Sequence, residues 1–305
     1  MRATRVVSLL LSGAALIAAS TTALRAEAQQ DLPAGTQAAA PVTTGKTDIT
    51  ADKFQGATRV DPDEKDANEL SLALGGVQAG GNARLFAVTG AGKYRLRREQ
   101  HQFRAALAGN YAESALPDDP ELQTTVQNIQ GLARYDLFLG DVTLFTALQG
   151  RNDRFQGLDL RMQLDPGVGY YFINKKTQLF WTELGYDLLH DVRYDPARVQ
   201  LDGDKNPIPG APLLSKTRTL HSARVFLGYE HAFNEASKVA AGVEFLQGLS
   251  DTDIRRLNGD VALTTKLVGN LAISFSFSER YENRPLPGKK QLDTTTAASL
   301  VYTFR

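Results

Sequence analysis

The side chains best suited to chemistry in this chain are charges spaced two residues apart. Arg134 and Asp136, Arg151 and Asp153, and Asp159 and Arg161 each stand at i and i+2. Asp165, Glu183, Arg224, Glu244, Asp260 and Arg280 sit in stretches with the same alternation, as do Asp187, Glu230 and Lys266. On an extended backbone, residues i and i+2 share a face, so these groups would line a common surface. Two roles are open to them. They can hold or pass a hydrophilic solute, the sharpest version being a site for an anionic or sugar-like ligand at the hairpin flanked by Arg151, Asp153, Asp159 and Arg161. They can instead pair with one another, in an ion-pair ladder across that hairpin among other places, and so fix strand register. Charge withdrawn from water is tolerated when partnered, and the second role carries more weight. Anions outnumber cations in this set, which favours cations weakly. Lys93, Arg95 and Arg104 nearer one end restore the balance, and the count leaves selectivity open.

Other chemistry is thin. The chain has no cysteine, which removes thiol nucleophiles, thiolate metal sites and disulfides. No Gly-x-Ser-x-Gly or His-Glu-x-x-His occurs. His190 and His221 bracket the longest polar stretch, 191–220. The pair His221-Ser222 is what a lipid or lipopolysaccharide hydrolase with a rim active site would use, although a solvated loop end is the plainer reading. Asp202-Gly-Asp204-Lys-Asn206 starts like a calcium loop. Its twelfth position is Leu213, however, and Pro207 and Pro209 interrupt it, so an Asx-rich turn is expected. Gly90-Ala-Gly92-Lys93 lies inside a strand with no helix after it, unlike a phosphate loop. No metal and no cofactor is expected, and no catalytic residue is assigned.

The elements that must position the charges are strands. From residue 68 onward the apolar period is two. Leu271, Ile273, Phe275 and Phe277 alternate with Ala272, Ser274, Ser276 and Ser278. Leu158, Leu160, Met162, Leu164, Val168, Tyr170 and Phe172 share one parity against Asp159, Arg161, Gln163 and Asp165 on the other. A helix would need a period of 3.6. Twelve segments fit: 69–77, 83–95, 102–113, 124–138, 142–153, 157–173, 177–190, 221–232, 238–248, 254–268, 270–282 and 292–304. The even-numbered connections are short. The odd-numbered ones, the third and seventh included, tend to be longer and more polar, with the first and fifth as modest exceptions. That asymmetry, with an even strand count, predicts an all-β fold: a closed antiparallel transmembrane β-barrel of about twelve strands, with both chain ends on the short-turn side.

A soluble barrel would show the same alternation. Strand length, the many small residues on the polar parity and aromatics at strand ends favour the membrane form. Tyr94, Phe103, Phe138, Phe172, Phe180, Phe233 and Phe304 fall near the short turns, and Tyr111, Tyr186 and Tyr281 near the long loops, as two aromatic girdles would. Pro166 lacks a ladder donor in a strand with no free edge, so a bulge or a break is expected there. Lys+Arg and Asp+Glu both number 34, which gives no bulk attraction to nucleic acid. Arg2 and Arg5, the apolar run Val6 to Ala19 and Ala26-Glu27-Ala28 read as a signal peptide over 1–28. Residues 29–67, rich in Ala, Thr, Pro and Gln, read as a flexible periplasmic linker, and 68–305 as the barrel. No further apolar run of about 18 residues exists for a membrane helix. The expected place is the bacterial outer membrane. The expected partners are outer-membrane lipid and lipopolysaccharide, the barrel assembly machinery and small hydrophilic solutes. A soluble periplasmic all-β binding protein is the alternative.

Leu132-Ala-Arg-Tyr-Asp-Leu-Phe-Leu139, then Gln149-Gly-Arg-Asn-Asp-Arg-Phe-Gln-Gly-Leu-Asp-Leu-Arg161, Pro166-Gly-Val-Gly-Tyr170, Asp293 and Leu300-Val-Tyr-Thr-Phe304 resemble the family known as salt-induced outer membrane proteins, a domain of unknown function. Asp153-Arg-Phe with Gly157-Leu-Asp is the most distinctive part, and the resemblance spans roughly 68–304. It implies an outer-membrane barrel and no established reaction: a non-enzymatic narrow passive channel or an envelope-stabilising protein. Only the family's name suggests a link to salt or osmotic stress. Such barrels commonly end on an aromatic residue read during assembly, whereas here Arg305 follows Phe304.

Overall fold

The computed structural model describes residues 66–79, 85–116, 119–202, 206–287 and 289–304. The expected signal peptide and all but the last two residues of the expected linker lie outside them, as does Arg305. Twelve strands follow in order: β1 Asp66–Ala79, β2 Leu85–Arg98, β3 His101–Leu116, β4 Asp119–Leu139, β5 Val142–Asp153, β6 Leu158–Lys175, β7 Gln178–Arg193, β8 Thr217–Ala232, β9 Ser237–Gly248, β10 Arg255–Val268, β11 Leu271–Glu282 and β12 Leu292–Phe304. Each pairs antiparallel with its neighbours in sequence, and β1 pairs with β12, so the sheet is a closed barrel. Closure gives every strand two partners and leaves no edge.

The alternation sets the faces. Leu144, Leu148, Leu160, Leu164, Val168, Val243, Phe245, Phe275 and Phe277 are exposed on the outside. Arg134, Asp136, Glu183, Asp187, Arg224 and Glu244 are buried inside. A water-soluble barrel would have the reverse arrangement.

The short connections lie where expected, for example at Gly140–Asp141 and Lys176–Thr177, and the 23-residue segment between β7 and β8 is long. The third connection corrects the expectation. β3 and β4 run on as a hairpin, and only two residues, 117 and 118, join them. Over Glu121–Thr125 both faces are exposed. The hairpin therefore stands above the rim, where nothing demands an apolar side.

Pro166 neither bulges nor breaks β6. The strand is continuous, and Thr146↔Pro166 pairs on the β5 side. On the β7 side Leu164↔Leu188 and Gly167↔Gly185 keep one register, with no pairing at 165 and 166 between them. The missing donor is absorbed by skipping part of one ladder. The irregularities of that ladder fall elsewhere, between Leu158 and Leu160 and between Tyr171 and Ile173.

Phe138 also departs from expectation. It faces inward and is buried with Tyr171, Leu179, Trp181 and Phe226. These side chains fill part of the lumen near the short turns. Trp181 lies 6.0 Å from both the Tyr171 and the Phe226 ring centroids. Gly228 makes room for it, since a Cβ there would fall 2.2 Å from the indole Cζ2. Gly228→Ala should therefore destabilise the barrel by about 1–3 kcal/mol through overpacking. A urea refolding titration into vesicles should show a lower midpoint, and an unchanged one would count against this interior packing.

Candidate functional site: a charged lumen with two chambers

The first twelve charges named from the sequence, Arg134 to Arg280, face inward, because each shares the parity of its strand's buried side. What holds them is a network crossing the lumen. Arg134 Nε donates to Asp136 Oδ1 at 2.8 Å. Its Nη1 and Nη2 donate to the two carboxylate oxygens of Glu183 at 3.2 and 2.8 Å, a bidentate pairing. Arg224 donates to Glu183 Oε2 at 2.9 Å and to Glu244 Oε1 at 2.5 Å. Arg104 reaches Asp136 at 3.2 Å, and Asn258 donates to Glu244 Oε2 at 2.7 Å. The Phe145 ring lies 4.0 Å from the Arg134 guanidinium carbon, adding cation–π attraction in a site shielded from water. Three guanidinia and three carboxylates thus balance within one band.

The remaining charges pair locally. Arg151 donates to Asp153 at 2.7 Å, Arg161 to Asp191 at 2.7 and 2.8 Å, and Arg280 to Asp260 at 3.1 Å. Lys216 reaches Asp159 at 3.0 Å, and Gln149 donates to Asp165 at 3.4 Å. The ion-pair ladder expected across the Arg151–Arg161 hairpin does not form. Arg151 and Arg161 are register partners, so like charges face each other across that rung, and each turns to a carboxylate elsewhere. Strand parity missed Arg218, Arg256, Asp191 and Glu282, which also face the lumen. Arg256 pairs with Asp187, and Arg218 and Arg161 both approach Glu282, at 3.4 and 4.0 Å. Three of the four lay at or beyond the assigned strand ends. Continuing the parity of Asp187 to 191, of Arg224 back to 218 and of Asn258 back to 256 would have found three of them.

The network divides the interior. Toward the long loops lies a chamber of about 360 Å³, with Arg151, Arg161, Arg256, Gln149, Gln163 and Asn258 in its wall. Toward the short turns lies a second, of about 540 Å³, lined among others by Lys93, Arg95, Arg104, Lys238 and Lys266. Arg104 borders the lower chamber and Glu244 the upper. Arg134, Asp136, Glu183 and Arg224 border neither, which places the network between them. The weak cation preference suggested by the residue count therefore does not carry over to the chamber walls, where basic side chains outnumber acidic ones.

The distinctive Asp153–Asp159 motif builds the roof of the upper chamber. Asp153 accepts from the Gln156 backbone N–H at 3.1 Å and caps the single turn Arg154–Gln156. Gly157 ends that turn at φ +78°, a left-handed conformation, and a Cβ there would lie 2.6 Å from Ala197 Cβ. Gln156 donates to Asp293 Oδ2 at 2.8 Å, and Lys289 Nζ to the Phe155 carbonyl at 2.5 Å. These contacts tie the β5–β6 turn to the loop before β12.

Lys216 joins the long loop to the barrel, bridging Asp159 and Asp195, each at 3.0 Å. Hydrogen bonds from Lys216 and Arg198 hold the Asp195 carboxyl below the usual carboxylate range, and those to Asp195 and Asp159 raise the Lys216 ammonium. The Asp195 contribution to this tie is present above an ordinary Asp pKa and fades as pH falls through the lowered value. Asp202 accepts from the Asn206 backbone N–H at 2.8 Å, an Asx-type turn; residues 203–205 lie outside the described ones. His221 and Ser222 sit on opposite faces of the wall. His221 points outward to Tyr186, and Ser222 points inward, 3.4 Å from an Arg256 nitrogen, so they do not form a dyad.

Together, fold and site define a β-barrel with an apolar exterior and a charged, partitioned interior. The chain belongs to the family described as a protein of unknown function, DUF481, whose model matches residues 72–304. No curated protein matches it. Among solved structures, the NanC porin is 13% identical with a TM-score of 0.45, the match covering 78% of this chain and 100% of that one. The translocator domain of the autotransporter NalP from Neisseria meningitidis is 14% identical with a TM-score of 0.45, over 80% and 90% of the two chains. The COG4313 outer membrane channel from Pseudomonas putida F1 is 10% identical with a TM-score of 0.43, over 81% and 100%. These likenesses are distant ones of overall shape.

Proposed function

We propose that the protein spans the bacterial outer membrane and acts as a narrow passive channel for small hydrophilic solutes, with no catalytic step of its own. One observation carries this reading: the wall is apolar outside and closed on itself, while polar chambers occupy both halves of the interior. Lipid offers no hydrogen-bond partners, so a β-sheet can cross it only as a closed cylinder. The asymmetry of short turns and longer connections supports placing the short-turn end in the periplasm. Lipopolysaccharide and lipid would then be its surroundings, and the barrel assembly machinery its route of insertion. The buried network between the chambers favours a second reading, a closed barrel that stiffens the envelope. Planar-bilayer recording of the purified full chain separates the two. Small unitary current steps are expected. A membrane that stays at lipid background while refolded barrel is present would remove the channel and leave the stiffening role.

A further inference from the structure

The upper chamber is built to receive an acceptor. Its wall carries the guanidinia of Arg151, Arg161, Arg218, Arg256 and Arg280. Three of their pairing carboxylates, Asp153, Asp187 and Asp260, are buried and do not line the chamber, whereas Asp191, Glu244, Glu282 and Asp293 share its wall with the five arginines, Lys289 and Lys290. For those three pairs the guanidinium is the member that reaches the cavity. Arg256 is decisive. Its side chain is only 7% exposed, and one terminal nitrogen is used on Asp187 and Ser222. Its Nε makes no hydrogen bond among the described residues, and neither does the Nε of Arg151. Each of these two arginines spends Nη2 on a carboxylate, so the other terminal nitrogen of each chamber-lining side chain is what it offers an acceptor. Gln149, Gln163 and Asn258 add amides to the same wall. The roof of Phe155, Gln156 and Lys289 covers part of it. A volume of about 360 Å³ suits a small solute.

We propose that this chamber binds a small solute bearing an oxyanion, with the acidic group held against Arg151 and Arg256. The inference rests on the channel reading only for the solute's route of access; the site itself needs no conductance.

The test is thermal unfolding of the full chain refolded in detergent micelles, titrated with glucuronate, inorganic phosphate or glucose at ionic strength matched with sodium chloride. A ligand that binds only the folded state raises the midpoint in proportion to its occupancy. Glucuronate, phosphate or both should raise it, and glucose should not. Arg256→Lys keeps a cation for Asp187 but removes the second terminal nitrogen, and Arg151→Gln removes a partly exposed guanidinium. Each should weaken the apparent affinity about tenfold or more, the value of a charge-assisted hydrogen bond, while Lys93→Gln in the other chamber leaves it unchanged. Arg151→Gln keeps the test decisive if Arg256→Lys fails to fold. No shift with either anion, an equal shift with glucose, or a shift indifferent to both arginine changes would overturn the proposal. Binding without current would leave this site and remove the channel, and current without binding would do the opposite.

Discussion

Arg134→Ala should destabilise the barrel by about 3–5 kcal/mol, the range for removing one partner of a buried ion pair. The change leaves Arg104 and Arg224 facing Asp136, Glu183 and Glu244, with one buried carboxylate in surplus. It also removes the guanidinium above the Phe145 ring. The informative comparison is with Arg134→Leu combined with Glu183→Leu. That pair of changes leaves Arg104 with Asp136 and Arg224 with Glu244, which is charge-balanced. The double variant should therefore lose less stability than Arg134→Ala, despite deleting more hydrogen bonds. Urea titration in vesicles measures both. If the double variant is instead the weaker one, hydrogen bonding rather than charge balance dominates the band.

Phe275→Arg should cost about 2–4 kcal/mol, the figure for a cation on the lipid face near the bilayer midplane. Phe275 lies in the middle of β11, faces outward and is about half exposed. Its neighbour Ser276 faces in. Ser276→Arg should be much milder on this score, since its side chain meets the polar interior. Equal penalties for the two would show that the faces are assigned wrongly, and the membrane reading would fall with them.

Most of the fold was legible because one physical condition, a wall apolar on one side only, writes a period of two into every strand. It ceased to be legible where the condition stops. β4 begins at Asp119, not 124, because the chain above the rim is exposed on both faces over Glu121–Thr125 and carries no alternation. β8 begins at Thr217 rather than 221, beside the long loop. Phe138 was placed with the girdle by its position near a strand end, whereas the parity of Arg134 and Asp136 puts it inside. The charged residues themselves were found by parity alone. Their partners were not, since Arg134 meets Glu183 across the lumen and 49 positions along the chain. Sequence order says which strands are neighbours. It does not say which side chains meet across the axis.

The ladder that closes the barrel is brief: β1 pairs with β12 only over Leu70–Leu74 and Leu300–Phe304, five rungs. At about 3.4 Å per residue they span roughly 17 Å before any tilt, less than the apolar band of about 25 Å usual for such walls. Every other joint keeps eleven rungs or more among the described residues, so the fewest backbone hydrogen bonds hold this seam. Local opening of the cylinder is expected here before any other joint gives way.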